Sequence, residues 1–218
     1  MKSLIVFISL LMGIATSSFA LETKFIEVAI SLEDSSVRYD GSYRKIDYPL
    51  GDVPADVGVC SDVIVRAYRG IDIDLQQLVH EDMKKNFSVY PKIWGLSRTD
   101  RNIDHRRVPN LRAFFKRHGK SLSISDNPND YKPGDLVTWN LKSNGSLPHI
   151  GIVTNLYSYD QKRPVIMHNI GRGQVLEDML FDYKITGHYR YGVDSVSYTH
   201  LRAHETPEHL VCRLLLEK

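Results

Sequence analysis

The apolar residues of this chain change period near residue 120, and that change restricts the fold more than any other feature. Before it they recur at helical spacing; after it they fall into short strand-length runs. Leu21 to Leu32 predicts an amphipathic helix. Cys60, Val63, Ile64, Ala67 and Tyr68 sit at i, i+3, i+4, i+7 and i+8, one face of a helix that Gly70 should end by taking positive φ. Leu75, Leu78, Val79, Met83 and Phe87 predict a further helix with Asp74 as its N-cap. Val108 to His118, closed by Gly119, predicts another, while Pro91 to Asp104 reads as irregular. Then Leu136 to Trp139, Pro148 to Thr154, Pro164 to His168 and Ile185 to Tyr191 read as strands, the first two joined as a hairpin through Asn144-Gly145. Helices followed by an antiparallel sheet predict an α+β domain. The 218 residues suffice for one well-cored domain and are few for two.

The two ends read differently from the middle. Met1-Lys2, the apolar run from Leu4 to Ala15 and the small residues of Ser18-Phe19-Ala20 form a signal-peptide pattern, so residues 1–20 are expected to be removed after Ala20. The run is short for a membrane span. The mature chain is therefore expected to be exported, periplasmic or secreted, with no stable membrane span, and to act as a monomer. From Ser195 to Lys218 the sequence resembles a peptide found on many unrelated proteins where sequencing-adapter DNA has been translated in frame. This divides the chain into the leader, a domain over 21–192 and a non-native tail over 193–218. His200, His204, Glu205 and His209 lie in that tail. Pro207 breaks any helix that would align them, so no metal site is expected there, and no cofactor is expected anywhere.

Cys60 opens its helix just after a turn containing Gly58. Unpaired N–H groups and the positive end of the helix dipole favour thiolate over thiol at such a place. The same N–H groups can hydrogen-bond an oxyanion on an attacked carbonyl. Two bland readings compete. A free Cys on an apolar helix face is an ordinary small core residue, and Cys60 with Cys212 makes an even count that an oxidising compartment could bridge. A thiol nucleophile also needs a base, and that base an orienting partner. His149 begins one predicted strand and His168 ends the next, so neighbouring antiparallel strands could bring both to one sheet edge.

The ordered set of helix-start Cys60, Pro133-Gly134-Asp135-Leu136-Val137, His149-Ile150-Gly151-Ile152-Val153 and Val165-Ile166-Met167-His168 resembles the NlpC-like branch of papain-type cysteine peptidases. A closer resemblance covers residues 21–191 and is to the YijF-like bacterial family catalogued as a domain of unknown function. It rests on Tyr48-Pro49 with Gly51-Asp52-Val53-Pro54, on Gly58-Val59-Cys60, on Asn102 to Asn110, on His168-Asn169-Ile170-Gly171 and on Gly187 to Tyr191. The resemblance implies a papain-like (NlpC-type) fold with Cys60 as nucleophile, His149 as general base and then acid, and His168 orienting His149. It implies an amidase or endopeptidase acting on peptidoglycan stem peptides or other cell-envelope peptides. Cell-wall enzymes of this type carry Asp before the Cys and Ser-Gly after it; here Val59 precedes and Ser61-Asp62 follows. A non-catalytic cell-envelope binding module on the same fold is the alternative.

Asp62, Arg106, Arg107 and Trp139 are the expected substrate contacts. Asp62 should also raise the thiol pKa by its charge. Arg106 and Arg107 belong to a cluster with Arg98, Arg101, Asp100 and Asp104 that reads either as an ion-pair network or as a clamp for a substrate carboxylate. Gly171-Arg172-Gly173-Gln174 lacks the third Gly and the following helix of a phosphate loop. A formal net charge of +2 gives no ground for a nucleic-acid partner.

Overall fold

The computed structural model describes residues 20–193. A helix over 20–31, α1, leads into short strands β1 (Arg38–Tyr39) and β2 (Val57–Gly58). Helices α2 (Cys60–Arg69), α3 (Leu75–Lys85) and α4 (Val108–His118) follow, with a 3-10 turn at Asp104–Arg106. Strands β3 (Lys120–Ser121), β4 (Leu136–Asn140), β5 (Pro148–Tyr157), β6 (Pro164–His168), β7 (Val175–Glu177) and β8 (Lys184–Arg190) complete the chain. The six later strands form one antiparallel sheet in the order β3-β8-β4-β5-β6-β7. The α+β reading therefore holds, with helices packed on an antiparallel sheet.

The helices form where apolar spacing and caps agree. Asp74 accepts from the Gln76 N–H and starts α3, and Pro109 occupies the first turn of α4, where its missing N–H costs nothing. Phe25 and Ala29 of α1, Ile64 and Tyr68 of α2, and Leu111 and Phe115 of α4 bury against Leu136, Ile150, Ile152 and Met167 of the sheet. Each such Ile or Leu stabilises by about 1.5–3 kcal/mol. The opposite sheet face buries Tyr131, Val137, Trp139, Val153 and Ile166 under Met179 and Leu180. The period of two divides β5 between these layers: Ile150 and Ile152 face the helices, while Val153 faces away.

Three features depart from the expected pattern. Gly70 ends α2 with φ −64, so positive φ is not its role. A Cβ there would lie 2.4 Å from Val28 Cγ1, so Gly70 is needed for the close approach of α1. β1 and β2 pair in parallel, Arg38 opposite Val57, and lay residues 38–42 beside the start of α2. The third departure is β7, which adds an edge beyond β6, with His168 opposite Val175. Asp135 of the turn before β4 is buried and bonds His188 Nε2 at 2.8 Å and Arg190 at 2.7 Å, so it locks β8 in place.

Candidate active site

Cys60 is the first residue of α2 and is 4 % exposed. Extended Val59 precedes it, and the Val59 N–H donates to Asp62 Oδ2 at 2.7 Å, a bond that fixes the helix start. Cys60 lies on an open cleft of about 450 Å³ that is also lined by Tyr39, Tyr43, Trp94, Arg107 and Leu147. Cys60 is a free thiol; Cys212 lies outside the described residues, as do the other tail residues considered for metal. Burial pushes the thiol up to about 12, and the charge of Asp62 adds to the rise. The backbone N–H groups of Ile150, Ser61 and Cys60 itself act in the opposite sense and do not overcome it. The expected thiolate is thus corrected. The helix terminus is present, but desolvation of a buried sulfur outweighs its dipole.

His149 lies on β5 and is 2 % exposed; His168 ends β6 and is fully buried. The antiparallel pairing of β5 with β6 brings the rings together, with His149 Nε2 at 2.9 Å from His168 Nδ1. Gly151 makes room for this: a Cβ there would meet Ile166 Cγ2 at 2.5 Å and His168 Cβ at 3.2 Å. The row continues, with His168 Nε2 at 3.0 Å from Glu177 Oε2 and Glu177 Oε1 at 3.2 Å from Arg172 Nη1. Burial, reinforced by His168, drives His149 down to about 3, so its ring is neutral near pH 7. Burial also lowers His168, against the pull of Glu177. By alternation His149 shares a face with Val153 and lies 5.9 Å from the Trp139 ring. The sulfur meets β5 through the backbone N–H of Ile150, the residue after His149. Among the hydrogen bonds of the described residues, none joins Cys60 to His149. Such bonds are often loose without substrate.

The expected substrate contacts divide. Asp62 and Arg106 form a bidentate pair at 2.7 and 2.9 Å, with side chains only 3 and 2 % exposed. The Arg106 guanidinium also donates to the carbonyls of Ser42 and Asp40, and Ser61 Oγ donates to the Arg106 carbonyl at 2.7 Å. Every group of this clamp is used within the protein. Asp62 is therefore corrected from a substrate contact to a structural one, while Arg106 both lines the cleft and is engaged in the ion pair with Asp62. Trp139 is also corrected. It is fully buried, and its Nε1 donates to Leu180 O at 2.9 Å, so it supports His149 from behind. Arg107 lines the cleft beside Arg106, with its guanidinium 4.2 Å over the Trp94 ring and 3.7 Å from Asp104.

Sequence reasoning missed Glu177, Arg172, Tyr39 and Trp94 as site residues. Glu177 sits in a three-residue strand too short to show a period. Asn169 was visible beside His168, and its Nδ2 donates to the Gly58 carbonyl, tying the histidine strand to the loop before Cys60.

The family profile described as Domain of unknown function (DUF1287) matches residues 26–191. A relative from Escherichia coli (strain K12), described as "Uncharacterized protein YijF", is 54% identical over 159 residues, 73% of this chain and 76% of its own length. A solved structure from Staphylococcus aureus subsp. aureus Mu50, described as similar to lipoprotein of the NLP/P60 family, aligns with a TM-score of 0.38 at 14% identity. That alignment covers 78% of this chain and 41% of the other, so the chain spans about two fifths of that structure's length.

Proposed function

This chain belongs to the family described as Domain of unknown function (DUF1287), and we propose that it is an exported cysteine hydrolase cutting amide bonds of peptidoglycan stem peptides through Cys60, His149 and His168. One observation carries the reading: a buried helix-start thiol opens on a cleft and abuts the strand whose His149 is held by His168 at 2.9 Å. The leader pattern over residues 1–20, of which 1–19 lie outside the described residues, supports export. Among the described residues no helix is long and apolar enough to cross a membrane.

The chemistry follows from the neutral pair. Because Cys60 is a thiol and His149 a neutral imidazole, the proton moves during attack and not before it. The sulfur adds to the amide carbonyl carbon while its proton passes to His149. The N–H groups at the start of α2 stabilise the oxyanion. The C–N bond then breaks as His149 gives its proton to the leaving amine. Water, deprotonated by His149, hydrolyses the thioester. Arg107, carried on the cleft wall by Trp94, offers a guanidinium to a stem-peptide carboxylate.

A second reading has its own observation. A thiol pushed up to about 12, with the Asp62 charge nearby, suits a cell-envelope binding module that keeps the groove without the reaction. Digestion of purified cell wall with the mature protein and with Cys60→Ala separates the two. Stem-peptide fragments released by the wild type alone support the hydrolase. Equal retention of both proteins on the wall without new fragments supports the module.

A further inference from the structure

His149 and His168 share one N···N contact, so a single hydrogen lies between them. Two neutral rings can place that hydrogen on either nitrogen, and the choice decides which nitrogen of His149 is bare. His149 uses Nε2 in this contact, so only Nδ1 remains to take a proton from a nucleophile. For Nδ1 to be bare, Nε2 must carry the hydrogen and His168 Nδ1 must accept it.

We infer that Glu177, acting through His168, holds both rings in that arrangement and is a positioning residue for the Cys60 site. An ionised carboxylate only accepts. At 3.0 Å its Oε2 requires a hydrogen on His168 Nε2. Neutral His168 then has a bare Nδ1, His149 Nε2 donates to it, and His149 Nδ1 is left as the base. Arg172 holds the second carboxylate oxygen at 3.2 Å. The row is dry at its centre, with the His168 side chain 0 % and the Glu177 side chain 29 % exposed. Water therefore does not substitute readily for the carboxylate.

The effect on catalysis rests on the hydrolase reading; the tautomers themselves do not. Nitrogen-15 NMR of the two rings in the mature protein tests the assignment without any substrate. The wild type should show a pyrrole-type Nε2 and a pyridine-type Nδ1 on His149. In Glu177→Gln, Arg172 keeps the single amide oxygen and the NH2 group faces His168. The His149 pattern should then exchange, with Nδ1 becoming pyrrole-type. Glu177→Ala should give a mixture of the two forms, and Arg172→Ala, which leaves the carboxylate, should match the wild type. If the wild type hydrolyses wall peptides, Glu177→Gln should lower kcat by roughly 10²–10⁴, the contribution of a correctly placed base. Identical His149 nitrogen patterns in the wild type, Glu177→Gln and Glu177→Ala, with amide spectra showing all three folded, would overturn the inference. Absence of hydrolysis in a wild type with the expected tautomers would instead count against the proposed function.

Discussion

Arg106 and His149 are both buried polar residues, yet the guanidinium ends in a nearly closed set of bonds and the imidazole does not. Arg106 meets Asp62 twice and two backbone carbonyls besides, so four of its five N–H donors are consumed by the chain. His149 spends Nε2 on His168 and keeps Nδ1 for something else. Burial alone does not separate structural from chemical residues, because the two are about equally buried. What separates them is the unspent hydrogen-bonding capacity, and this comparison leads to different outcomes on mutation.

The largest change should come from breaking the closed set. Arg106→Ala strands the Asp62 carboxylate in the interior and should cost about 3–5 kcal/mol in urea unfolding. Replacing Arg106 and Asp62 together by Met and Leu should recover only the part due to the stranded charge, because the Val59 N–H and the Asp40 and Ser42 carbonyls stay without these partners. His149→Ala should do the reverse. Turnover of wall peptides should fall by roughly 10²–10⁴, with a smaller shift of the urea midpoint than Arg106→Ala gives. A His149→Ala variant that unfolds as readily as Arg106→Ala would erase the distinction.

The pH dependence of stability sharpens the same contrast. His149 and His105 are both driven down to about 3 by burial. The unfolded chain then binds more protons than the native one between about 3 and the ordinary 6.5. Stability from these two groups is full above 6.5 and is lost as pH falls toward 3. Asp104, raised to about 6 by burial, works the other way between its ordinary 3.8 and 6 and softens the upper part of the slope. Urea midpoints measured from pH 7 to 4 should decline, and His105→Gln should flatten the decline while leaving turnover intact. The smallest effect should be that of Arg107→Ala. Losing the stack on Trp94 should cost about 0.5–1 kcal/mol of stability and raise KM with kcat unchanged.

The α2 face, the cap at Asp74 and four strands of the sheet were legible because their signals are local periodicities and turn residues. Cys60, His149 and His168 were legible as an ordered set, and their roles came from resemblance. What escaped depends on long-range pairing. Glu177 joins His168 only because β7 adds to the edge of β6, and three residues carry no period. Trp139 was placed in the groove because an aromatic residue near a site suits either layer. The register that sets it opposite His149 also turns it into the core. The protonation of Cys60 was misjudged because the dipole is visible in sequence and the burial is not.

The central claim is that the open nitrogen of His149 serves the sulfur of Cys60. The rate at which iodoacetamide alkylates Cys60, followed by mass spectrometry from pH 6 to 10, tests it most directly. A thiol pushed up to about 12 predicts slow labelling at pH 6 and a rate that climbs across the range without a plateau near neutrality. At pH 8, His149→Ala should label at least about tenfold more slowly than the wild type, because the neighbouring imidazole no longer takes the proton. Arg107→Ala should label at the wild-type rate. Equal rates for the wild type and His149→Ala in the folded protein would contradict the account and leave Cys60 as a buried core residue.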